Sequence, residues 1–72
     1  MTPGQLSRTT KMMQEIAGET VRLEDISGTI YVFGSELATL RLLKKYRACN
    51  DKADSGYSEN VGSFYFRLEP SH

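Results

Sequence analysis

Two side chains carry most of the catalytic potential in this sequence: a single histidine, His72, and a single cysteine, Cys49. A serine or threonine becomes a nucleophile only when a base takes its proton and a third group orients that base. The one imidazole is the last residue of the sequence, and chain ends fray, so no Ser/His pair is expected to act. Cys49 stands between the cations Lys45 and Lys52. Nearby cations favour a thiolate, but a helix C-terminus opposes one. Its angular alignment with Leu42 and Tyr46 makes Cys49 a small, half-buried apolar residue instead. One Cys and one His cannot complete a four-ligand zinc site, and a lone Cys forms no intramolecular disulfide.

The carboxylates offer no better acid/base pair. Glu24 and Asp25 are neighbours on a strand and point to opposite faces. The stretch Asp51-Lys52-Ala53-Asp54-Ser55-Gly56 opens like a calcium loop but lacks the spacing of acids and the closing Glu, so it reads as solvated loop. A toxin-like nuclease would need a hidden acid/base pair, a part in which Tyr57 and Glu59 of the loop could be cast. Gly28, Gly34, Gly56 and Gly62 read as turns or element boundaries, and no phosphate-binding glycine loop is present. The expectation is a protein that is not an enzyme and has no cofactor or metal.

The elements that position these residues follow from periodicity. Thr2-Pro3 suits a helix start and Gly18 a stop, which predicts an amphipathic helix over 3–17 with Leu6, Met13 and Ile16 on one face and Met12 beside it. Residues 20–26 and 29–33 flank Ser27-Gly28, the pattern of a two-residue hairpin. That register sets Arg22 opposite Phe33, Leu23 opposite Val32, Glu24 opposite Tyr31, Asp25 opposite Ile30 and Ile26 opposite Thr29. Alternation then gives a core face of Val21, Leu23, Ile30 and Val32, and a mixed face of Arg22, Glu24, Ile26, Tyr31 and Phe33. Ser35 caps a helix over 35–48 whose inner face is Ala38, Leu42, Tyr46 and Cys49, with Leu43 flanking it. A polar loop is expected over 50–62. Residues 63–69 form a strand with Phe64, Phe66 and Leu68 inward and Tyr65, Arg67 and Glu69 outward, ended by Pro70, and 70–72 fray.

This is one α+β domain of 72 residues, of order α-β-β-α-β. The simplest assembly is a three-stranded antiparallel sheet with the 35–48 helix on its apolar face. A crossover would place the last strand beside the first, giving order 2-1-3. Helix one either joins that layer or covers the other face. No apolar run approaches the roughly 20 residues of a membrane span, and no signal-peptide core is visible, so a cytoplasmic protein is expected.

Two surfaces could bind something. Arg41, Lys44, Lys45 and Arg47 lie on one arc of the second helix, suited to phosphates, to an acidic protein, or to plain solvent. The outer sheet face carries Tyr31, Phe33 and Tyr65 among Arg22, Glu24, Arg67 and Glu69. Open-sheet aromatics can stack on single-stranded bases, yet two acids balance two bases there, which suits a protein hot spot better. Helix one or a second copy could also cover them. Nine Lys and Arg against nine Asp and Glu leave a net charge of zero, whereas a dedicated nucleic-acid binder is usually basic.

The strip YVFGSELATLRLLKKY, residues 31–46, resembles small proteins encoded by phages and mobile elements. The chain as a whole is similar in size, composition and general style to anti-CRISPR proteins. That resemblance implies a stoichiometric blocker that occupies a protein surface of a bacterial CRISPR effector in the host cytoplasm, and it carries over no functional residue. The other readings are a nucleic-acid-binding regulator using the basic helix face and a homodimeric structural or adaptor protein.

Overall fold

The computed structural model describes residues 2–48 and 53–69. Cys49, Asp51, Lys52, Pro70 and His72, and the expectations attached to them, lie outside these residues.

The first helix, α1 (Pro3–Ala17), begins with a reciprocal cap. Thr2 Oγ1 accepts from the Gln5 amide at 3.2 Å, and Gln5 Oε1 accepts from the Thr2 amide at 3.0 Å, which satisfies two amides that the first turn leaves unpaired. Thr10, a poor helix former, donates its hydroxyl to the Leu6 carbonyl at 2.7 Å. Gly18 closes the helix in the left-handed conformation with φ 77°. Met13 and Ala17 are buried, Leu6 and Ile16 pack partly against the core, and Met12 faces outward.

The hairpin of β1 (Arg22–Ile26) and β2 (Thr29–Gly34) has the five cross-strand pairs expected from the two-residue turn. Ser27 and Gly28 both have positive φ, 54° and 86°, the turn whose twist matches that of the flanking strands. Val21, Leu23, Ile30 and Val32 are buried on one face. The second helix, α2 (Glu36–Arg47), is capped by Ser35, whose hydroxyl accepts from the Ala38 amide at 3.1 Å. Glu36 in its first turn and Lys44, Lys45 and Arg47 in its last complement the helix dipole. Ala38 and Leu42 are fully buried and Tyr46 lies against Phe66, ring centroids 5.6 Å apart.

Among the described residues the sheet has four strands, not three. Residues expected as loop form β3 (Asp54–Ser58), which pairs antiparallel with β4 (Ser63–Leu68) across a turn in which the Gly62 amide donates to the Ser58 carbonyl at 2.8 Å. Nor does the last strand lie beside the first. The order is β1-β2-β4-β3, antiparallel throughout. The cause is in the side chains: β2 and β4 are apolar on both faces and take the centre, where both edges are paired and one face is covered by the helices. The more polar RLEDI and DSGYS take the edges.

Both helices pack on the same side of this sheet. Met13 and Ala17 from α1 share one core cluster with Leu23, Val32, Ala38, Leu42, Ala53 and Phe66. Among the described residues, therefore, no helix lies over the other sheet face.

Gly28→Val forces a branched side chain into the left-handed region at a cost on the order of 1–2 kcal/mol. A lower thermal unfolding midpoint is expected, while Ser27→Asn, better suited to positive φ, is expected to raise it. An unchanged midpoint for Gly28→Val would contradict this turn.

Candidate functional site

The uncovered face is built in rows across the strands. One row runs Arg22, Phe33, Tyr65, Gly56, and the next Glu24, Tyr31, Arg67, Asp54. Alternation puts all of these on one side because the opposite parity, Leu23, Val32 and Phe66, faces the helices. The expected site residues Arg22, Tyr31, Phe33, Tyr65 and Arg67 are thus brought together, and α1 does not seal them.

The aromatics support one another. Tyr31 stacks on Phe33 at 6.3 Å between centroids and 11° between planes, and Tyr65 is tilted against Tyr31 at 6.2 Å and 52°. The Arg22 guanidinium lies 5.0 Å from the Phe33 ring centroid, a cation–π contact. These neighbours leave Phe33 only 8% exposed without any helix above it. Tyr65 leans over β3: a Cβ placed on Gly56 would lie 2.9 Å from the Tyr65 hydroxyl and 3.1 Å from two ring carbons. Gly56 is the strand glycine that lets an aromatic cover the backbone.

The charges on this face are mixed. Arg67 Nη2 is 3.9 Å from Asp54 Oδ2. Arg67 Nε is shielded from solvent and has no acceptor among the described residues. Asp54, delivered by β3, joins Glu24 against Arg22 and Arg67, so acids and bases balance within the paired rows of this face. Beside the aromatics runs a shallow groove of about 220 Å³, whose walls include Ile26, Tyr31, Phe33, Val61 and Tyr65. Asp54, Gly56 and Val61 were missed by sequence reasoning because the segment holding them reads as loop. The available signal was a glycine two residues after Asp54, facing an aromatic strand.

The basic arc of α2 lies on the far side of the domain. Arg41, Lys44, Lys45 and Arg47 are all exposed. Arg41 also braces the fold. Its Nη1 donates to the Ala17 carbonyl at 3.0 Å, placing a cation at the C-terminus of α1. Among the described residues no group of three or more His, Cys, Asp or Glu could hold a metal ion, and no helix is long and apolar enough to cross a membrane.

Comparison with protein-family models, with curated proteins and with solved structures finds no match to this chain.

Arg41→Ala is expected to lower stability by roughly 0.5–1.5 kcal/mol, whereas Lys45→Ala should stay within about 0.5 kcal/mol. Urea denaturation monitored by circular dichroism measures both. Equal effects would remove the structural role given to Arg41.

Proposed function

We propose that the protein is a non-enzymatic protein-binding module that engages its partner through the open sheet face. In its sharpest form the reading is a phage-type inhibitor, similar to anti-CRISPR proteins, that blocks a bacterial defence complex by stoichiometric occlusion. The supporting observation is the placement of both helices on one side, which leaves Tyr31, Phe33 and Tyr65 on the other.

The geometry favours a protein partner over a nucleic acid. Base stacking needs an open ring face, and one face of Phe33 is taken by Arg22 and another neighbour is Tyr31. Balanced acids and bases on the paired rows offer a phosphate backbone no net attraction. Tyrosine and arginine around an apolar groove are the anchors that protein interfaces use, with a polar rim excluding water.

A pull-down with tagged protein from bacterial lysate, with and without nuclease, tests this reading by mass spectrometry. A stoichiometric, nuclease-resistant protein partner is expected. Tyr31→Ala and Tyr65→Ala should each abolish its capture with the fold retained, while Lys44→Glu with Lys45→Glu should leave capture unchanged. Capture that vanishes with nuclease would transfer the function to the basic end of α2. Capture indifferent to both tyrosine changes would remove the sheet face as the interface.

A further inference from the structure

The sheet has two edges, and they differ. The edge strand β1 carries Arg22, Glu24 and Asp25, charges of the kind that discourage pairing with another chain. After its first residue, β3 reads Ser-Gly-Tyr-Ser, with no lysine, proline or bulge. Its Ser55 amide donates to Asp54 Oδ1 at 2.8 Å, a solvent-exposed bond. Above this edge runs the flank of α2. Between Glu36, Thr39 and Leu40 on the helix and Ser55, Gly56 and Tyr57 on the strand lies an apolar groove of about 220 Å³. Tyr57 is 54% exposed and Leu40 48%.

We propose that this edge is a two-fold interface between two copies of the chain, in which β3 pairs antiparallel with the β3 of the second copy to make one eight-stranded sheet. The sequence of the edge is self-complementary about Gly56. An antiparallel pair centred there sets glycine opposite glycine, and Ser55 opposite the second copy's Tyr57, twice. Each tyrosine thus meets a small residue. Its ring enters the groove above Ser55 and Gly56, which exceeds the roughly 150 Å³ cavity that takes a benzene. Asp54 falls opposite Ser58, so no like charges face each other along the strands.

Charge complementarity on the helices selects a second copy over an unrelated strand. Glu36, Leu40, Lys44 and Arg47 recur at helical spacing along one side of α2, acid at the start and bases at the end. The axis that makes the strands antiparallel also makes the two α2 helices antiparallel on the same side of the sheet. Glu36 of each copy then lies toward Lys44 and Arg47 of the other, with the two Leu40 side chains between. An incoming strand replaces the Asp54 carboxylate on the Ser55 amide with a carbonyl. The open faces of both copies become one continuous surface.

Sedimentation equilibrium of the full chain over a concentration series tests the proposal. Twice the monomer mass is expected. Tyr57→Lys and Leu40→Lys should each halve that mass without changing the circular dichroism. Glu36→Lys alone, and Lys44→Glu with Arg47→Glu alone, should each weaken self-association several-fold, and mixing these two variants should restore it. A wild-type chain that keeps the monomer mass at every concentration overturns the proposal. So does a dimer that survives both lysine variants, or one broken by Tyr31→Ala on the open face instead. If Tyr57→Lys unfolds, Leu40→Lys on the helix surface decides between the same outcomes.

Discussion

Val32 and Phe66 are paired across the middle of the sheet, and neither is exposed at all. This contact joins β2 to β4, the two strands with apolar residues on both sides. Each half of the molecule hangs from it. On one side of the seam β1 completes a hairpin, and on the other β3 does the same. Tyr46 and Leu42 of α2 cover Phe66 and its surroundings. A chain of this length buries a thin core. Its two amphipathic helices suffice to shield one face of four strands and no more. The open face is a direct result of placing both helices on the Val32–Phe66 side.

An uncovered sheet face with three large aromatics would be an adhesive surface if each ring stood alone. Here the rings lean on one another, on Arg22 and on the bare backbone at Gly56. Such contacts contribute about 0.5–1 kcal/mol each at exposed sites. They also hold the side chains in defined orientations, which would lower the ordering cost of any association at this face. A similar use of small contacts recurs at the helix ends. Thr2 with Gln5, Ser35 with Ala38, and Arg41 with Ala17 satisfy backbone groups that a small core cannot shield.

The hairpin is fully legible in the sequence because a two-residue glycine turn leaves one register, and strict alternation then sorts ten side chains. Both helices are legible from their caps and from the spacing of Met13, Ala38 and Leu42. β3 is not, since Asp, Ser and Gly have low strand propensity and the segment is a strand only because β4 offers a template. The strand order escapes for a related reason: residues 63–69 read as a lone strand that crosses over, whereas they arrive as half of a hairpin. Tyr31, Phe33, Tyr65, Arg22 and Arg67 can be grouped on one face from alternation. That this face stays open depends on which way α1 folds back, a tertiary matter that its own sequence does not encode. The bond from Arg41 to Ala17 spans 24 residues and leaves no local trace.

The strand order also shapes the route to the folded state. The β1–β2 and β3–β4 hairpins close over short turns, and such units form in about 1–10 μs. The β2–β4 seam joins residues separated by all of α2 and β3, so its loop-closure entropy is met before any contact across it offsets the loss. Folding of this chain is thus expected to be limited by one long-range docking step between two pre-formed halves. Until that step, both central strands present an unpaired apolar edge, and the most buried surface of the native protein is its most exposed liability.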